Sequence, residues 1–175
     1  MNVSRDRILY FAYGSNMFSR RLAARLGEVE VLTVGTVAGY RLTFDKLSKD
    51  TSGKCDIEVS GNTSDLVYGV VYSFPIHRLP VLDEHEGAGE GYRRDRFYVS
   101  TPRGDMRTEV YRAMSKRPGL KPFDWYLKLV HAGAVEHGFP EEYIRRLAET
   151  PSRPDPDRER FQEHMSLITA PRHKC

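Results

Sequence analysis

LYFAYGSNMFSRRL, Leu9–Leu22, decides how the chain is read. Ile8–Tyr13 is a short uncharged run rich in β-formers, which suits a strand buried on both faces. From Met17 the pattern changes. Leu22 and Leu26 stand four apart among arginines, and Gly27 takes the place of a left-handed helix cap. The segment therefore reads strand, tight turn, helix. At such a junction the backbone N–H groups of the turn lack intrahelical partners and converge on whatever lies above the strand end, so the place suits an anion.

Working outward, Val29, Val31, Val34 and Val37, then Tyr40, Leu42 and Phe44, alternate like at least two half-buried strands. The polar piece Lys46–Asp56 reads as a hairpin loop, with Cys55, Ile57 and Val59 resuming the alternation behind it. Gly61–Asp65 is a turn cluster. Leu66–Phe74 is the most continuous apolar strand and is expected at the centre of the sheet. RRDRFYVS and MRTEVYRA flank the turn Thr101–Asp105 as an antiparallel pair. In FDWYLKLVHAGAVEHG, Phe123, Tyr126, Leu127, Val130 and Ala134 share one helical face, and Pro140-Glu-Glu followed by Arg145 and Arg146 marks a second short helix. After Pro151 the core pattern ends. Residues 151–175 read as a peripheral polar tail with at most a short helix near Phe161–Leu167, leaving one domain over 1–150. The class is α+β, with a sheet that could close into a barrel.

The composition is that of one ordinary domain of 175 residues, with 39% hydrophobic and 29% charged residues of interleaved sign. A formal charge of +3 without a basic stripe interleaved with aromatics argues against nucleic acid. No window approaches the roughly 18 apolar residues of a membrane span, and no signal-like stretch opens the chain, so a cytoplasmic protein is expected. Cys55 and Cys175 do not make a disulfide framework and are read as thiols.

PVLDEHEGAGEGYRRD, Pro80–Asp95, is the second informative stretch. As a short helix starting near Pro80 it turns Leu79, Leu82 and Glu86 to one side and Glu84 to the other, and Gly87 ends it. An inward acid at a helix C-terminus, where partial negative charge and desolvation disfavour ionisation, suits a general base. An acidic helix face turned to water is the plain alternative. His77, His85, His131 and His137 with Glu84 offer no i,i+4 ligand pair and no Cys at zinc spacing, so no metal is expected. Ser15 follows Gly14 on a strand-to-helix turn, but Met17 stands where G-x-S-x-G has its second glycine, so Ser15 reads as a donor of its backbone N–H. Tyr126, from spacing alone, reads as core.

Together LYFAYGSNM, LDEHEG and the helix tyrosine ahead of GFPEEY resemble the γ-glutamylcyclotransferase family, in the branch marked by Y-G-S-N, over roughly residues 8–148. The resemblance implies a small mixed β-barrel with flanking helices and a cofactor-independent enzyme that cyclises a γ-glutamyl group to 5-oxoproline, releasing the attached amine. It implies Glu86 as catalytic acid/base. It implies a substrate-binding turn of Tyr10, Phe11, Ala12, Tyr13, Gly14, Ser15 and Asn16, together with Tyr126, and a homodimer as in some members. His85 between two glutamates and Phe139 before proline depart from the pattern, and His85 stands where it could tune Glu86. A related fold acting on another γ-glutamyl amine, and a non-catalytic binding module, remain open at this point.

Overall fold

A computed structural model describes residues 6–170 of the chain; Cys175, read above as a thiol, lies outside them. β1 (Arg7–Ala12) runs into a 3-10 turn (Ser15–Met17) and α1 (Ser19–Leu26). β2 (Glu30–Ala38) and β3 (Tyr40–Leu47) follow, then β4 (Gly53–Val59) and β5 (Leu66–Pro75). α2 (Leu79–Glu86) precedes β6 (Tyr92–Val99) and β7 (Met106–Ala113), and α3 (Asp124–Glu136), α4 (Glu141–Ala148) and α5 (Arg158–Thr169) complete the described chain.

The main sheet has the order β2-β5-β1-β7-β6. Its neighbours are antiparallel except β1 and β7, which run parallel around Tyr10 and Glu109. β5 is an interior strand as its apolar run requires, but the centre belongs to β1. That is why Tyr10, Phe11 and Ala12 are buried and why the turn after them opens over the middle of the molecule. β3 and β4 form a separate hairpin, and its loop is shorter than the polar composition of Lys46–Asp56 suggests, because β3 continues to Leu47 and β4 starts at Gly53.

The expected barrel does not close. The edge strands β2 and β6 approach at one place, where Thr36 and Ser100 exchange N–H···O bonds of 2.9 Å in both directions. No ladder grows from it. Beyond Ser100 the chain reverses in the turn closed by Gly104 N–H to Thr101 O (3.0 Å), and beyond Ala38 it leaves the sheet at Gly39 for the β3–β4 hairpin. The fold is a mixed α+β layer structure whose sheet edges meet at this single bridge.

Phe11, Leu22, Phe74, Leu82 and Leu129 join sheet and helices in one core. α3 lies against the turn after β1, and Gly133 permits it: a Cβ there would stand 2.6 Å from Phe18 N and 2.7 Å from Met17 C. The last helix is longer and better anchored than a peripheral tail. Asp157 caps α5 by accepting from Arg160 N–H (3.0 Å), and Arg20 donates to Leu167 O (2.7 Å) and Ala170 O (2.8 Å) at its far end. Ahead of it, Asp155 accepts from Trp125 Nε1 and from Arg160 Nε, each at 2.6 Å. Among the described residues no helix is long and apolar enough to cross a membrane.

Candidate active site

Six segments converge where β1 ends. β1 and its turn bring Tyr10, Tyr13, Gly14, Ser15 and Asn16; β4 brings Cys55; the C-terminus of α2 brings Glu86; β6 and β7 bring Tyr92 and Tyr111; α3 brings Tyr126. They line a narrow cavity of about 30 Å³. A wider cleft of about 460 Å³ lies between β3, the start of β5 and α4, lined by Tyr40, Tyr68 and Arg146 among others. An open groove of about 530 Å³ beside Thr36, Tyr98 and Ser100 is larger still, so size alone would favour either of these. The smaller cavity has the chemistry, because only there does a half-buried carboxylate face a bend of main-chain donors.

Glu86 is the last residue of α2, and Gly87 caps the helix in the left-handed region at φ 61°. Its side chain is 15% exposed, whereas Glu84 faces solvent, as the helical geometry predicts. The acid is held from the side of α1. Asn16 Nδ2 donates to Glu86 Oε1 (2.8 Å) and to the Tyr10 hydroxyl (3.1 Å). Arg25 Nη1 donates to Asn16 Oδ1 (3.0 Å) and to Glu86 Oε1 (3.2 Å). Glutamate, amide and guanidinium thus close a triangle on one carboxylate oxygen, Oε1, while Oε2 has no protein partner among the described residues, and Glu86 lines the cavity. The helix C-terminus is therefore not an uncompensated position for a carboxylate.

The turn is equally specific. Met17 N–H bonds Gly14 O (2.9 Å), while the N–H groups of Gly14, Ser15 and Asn16 find no acceptor among the described residues. A Cβ at Gly14 would stand 3.0 Å from Cys55 Cβ and 3.2 Å from the Tyr126 hydroxyl, so the bend is glycine because β4 and α3 press on it. Tyr126 accepts from Cys55 N–H (3.1 Å), is 5% exposed, and is both core and pocket wall. Tyr13 donates to Tyr111 O, and Tyr92 donates to Cys55 O (2.7 Å). Phe11 and Ala12, expected in the binding turn, do not line the cavity. Both are fully buried, with Ala12 paired to Val70 in the sheet and the Phe11 ring packed beside Gly69.

Burial holds the phenols of Tyr10, Tyr92, Tyr111 and Tyr126 well above the usual tyrosine range, so all four remain neutral hydroxyls. Burial also pushes the Cys55 thiol up to about 12, which removes it as a nucleophile. His85 is drawn below its ordinary value by burial and by Arg25, so it stays neutral at pH 7 and adds no cation beside Glu86. Among the described residues no group of three or more His, Cys, Asp or Glu side chains could hold a metal ion.

The chain is 31% identical over 147 residues to the γ-glutamylcyclotransferase of Mus musculus, covering 81% of this chain and 78% of that protein. It is 30% identical over 146 residues to the Bos taurus enzyme of the same name, with the same coverage. The chain belongs to the γ-glutamylcyclotransferase family. A family model described as the AIG2-like family matches residues 66–147, which span β5, α2 with Glu86, and α3 with Tyr126. A solved structure named γ-glutamyl cyclotransferase superposes with a TM-score of 0.81 at 26% identity, covering 90% of this chain and 96% of that one.

Arg25, Cys55, Tyr92 and Tyr111 were not legible as site residues. Arg25 had a signal, since it lies three turns of chain beyond the Gly14 bend on a short helix, but nothing in the sequence told it apart from the other arginines of α1. The three others come from strands whose alternation reports burial and not which cavity they border.

Proposed function

We propose that this protein cyclises a γ-glutamyl amine or γ-glutamyl amino acid to 5-oxoproline and releases the amine, with Glu86 as general acid/base. The observation that carries the reading is Glu86 and the Gly14–Asn16 donors bordering one cavity, in a chain of this family. The substrate supplies its own nucleophile, the α-amine, so the protein's task is to fold it into a near-attack shape; effective molarities of well-oriented intramolecular reactions reach about 10⁵–10⁸ M. The cavity has room for about one water, so the tyrosine wall must part to admit a glutamyl chain.

In this scheme Glu86 Oε2 takes a proton from the α-ammonium, and the freed amine attacks the γ-carbonyl. The oxyanion that forms is stabilised by N–H groups of Gly14, Ser15 and Asn16. Glu86 returns the proton to the departing nitrogen as its bond to carbon breaks. A second proton follows the same route from the new ring nitrogen, so the amine leaves as an ammonium and Glu86 ends as it began. Tyr126, Tyr10 and Tyr92 keep the cavity dry and supply neutral hydroxyls around the glutamyl chain.

Glu86→Gln keeps the shape and the acceptor for Asn16 and Arg25 but removes the base. It is expected to bind a γ-glutamyl amino acid while 5-oxoproline release, followed by mass spectrometry, falls by about 10²–10⁴-fold. Turnover undiminished in this variant refutes the mechanism.

A further inference from the structure

Two hydroxyls on the cavity wall are set in direction by a single residue. Cys55 lies on β4 where the β3–β4 register slips between Thr43 and Lys46, so it has no partner across the ladder. Tyrosines take its backbone groups instead. Cys55 N–H donates to the Tyr126 hydroxyl (3.1 Å), and the Tyr92 hydroxyl donates to Cys55 O (2.7 Å). An amide N–H can only donate and a carbonyl can only accept, so both directions follow from the partners alone.

The two phenols, both on the cavity wall and both kept protonated by burial, therefore have opposite polarity. Tyr92 has its proton committed to Cys55 and can only accept from a ligand. The Tyr126 proton has no nitrogen or oxygen acceptor among the described residues, and the Cys55 sulfur beside it is a weak one, so Tyr126 can donate. A donor and an acceptor built on the N–H and C=O of one strand residue lie side by side. An α-amino acid end is the complement of that pair: its ammonium only donates, its carboxylate only accepts, and one carbon carries both. Glu86 is close at hand. The loop after α2 returns so that Gly89 N–H bonds Tyr92 O (2.9 Å) and Tyr92 N–H reaches Gly87 O (3.4 Å), which sets Tyr92 beside the helix end that carries the acid.

We infer that Tyr92 is a substrate-binding residue that accepts a hydrogen bond from the α-ammonium of the glutamyl group, while Tyr126 beside it donates to the α-carboxylate. The inference rests on the cyclisation reading above and adds to it which side chain holds the nucleophilic nitrogen. With one N–H held by Tyr92, removal of another proton by Glu86 leaves the nitrogen lone pair in a fixed direction for attack on the γ-carbonyl. No proton passes to or from either tyrosine.

The test uses the full chain with γ-glutamyl-alanine and glutaryl-alanine, which has hydrogen in place of the α-ammonium and cannot cyclise. Tyr92→Phe removes the hydroxyl and keeps the ring under the Lys46 ammonium, 4.7 Å away. It should lower kcat/KM for γ-glutamyl-alanine, followed as 5-oxoproline release, roughly 10- to 150-fold, the range of one hydrogen bond to a charged group, and leave the inhibition constant of glutaryl-alanine within about 3-fold of wild type. Tyr126→Phe should weaken both, because both compounds carry the α-carboxylate. Tyr92→Phe weakening the two compounds equally overturns the inference, since the hydroxyl would then serve only Cys55 and the wall. Unchanged turnover overturns it as well. Tyr92→Met is read in the same way should the phenylalanine variant melt early. Wild type that releases no 5-oxoproline sinks the cyclisation reading itself. Calorimetric affinities of the two compounds then decide the ammonium contact, which is supported where Tyr92→Phe weakens only the γ-glutamyl compound and overturned where it weakens both alike or neither.

Discussion

Arg25→Met removes the guanidinium that ties Glu86 to the turn while keeping helix propensity and most of the stem. One nitrogen, Nη1, donates both to Asn16 Oδ1 at 3.0 Å and to Glu86 Oε1 at 3.2 Å. With Glu86 only 15% and Arg25 only 19% exposed, solvent replaces these bonds poorly. A hydrogen bond to a charged group contributes about 1.5–3 kcal/mol, so losing it should lower kcat/KM roughly 10- to 150-fold. The geometry makes a sharper statement. Arg25 acts on Glu86 partly through Asn16, whose amide it orients by occupying Oδ1 and so presents Nδ2 to the acid at 2.8 Å. Asn16→Ala and Arg25→Met should therefore be strongly non-additive, the double variant losing little more than the worse single one. The assay is 5-oxoproline release under kcat/KM conditions for wild type, both single variants and the double. Multiplicative losses would mean that the two side chains serve separate purposes, and full activity in Arg25→Met would remove the triangle from the mechanism.

Gly14→Ala meets no backbone strain at φ −114°, but its Cβ would press to 3.0 Å on Cys55 Cβ and 3.2 Å on the Tyr126 hydroxyl; chemical denaturation should show a loss of about 1–3 kcal/mol, and turnover should fall by on the order of 10-fold as the pocket wall shifts. A variant as active and stable as wild type would mean that the bend is not under this pressure. His164 stacks on Trp125 at 3.9 Å, and burial, then Arg21 and other cations, hold its imidazole down at about 4. The unfolded chain therefore binds more protons between pH 6.5 and about 4, so the docking of α5 is fully stable above that window, weakens as pH falls through it, and loses no more below it. The ring is partly exposed, which reduces the size of the effect but not its sign. His164→Phe should keep the stacking and narrow the difference in melting temperature between pH 7 and pH 5; an unchanged difference would assign the acid sensitivity to other groups.

What was legible in the sequence and what was not divides along a physical line. The strand, the bend at Gly14 and the helix after it are local, as are the helical stripe that turns Glu86 inward and the Gly87 cap, so periodicity and capping chemistry reach them. The open barrel, the central place of β1 and the anchoring of α5 depend on which distant segments meet, and a polar stretch such as residues 151–170 hides contacts made through Asp155, Arg20 and His164 instead of through an apolar stripe. Arg25 belongs to the second group for a specific reason. A basic residue on an arginine-rich helix carries the signature of a solvated surface, and only the three-dimensional arrangement shows that this one is bound to the acid. The inward acid Glu86 can be read from its own helix because its orientation is set by its neighbours in sequence. The guanidinium that holds it is placed by the fold, through a helix packed across the turn, so the surroundings of the acid are set by tertiary contacts even where its own orientation is local.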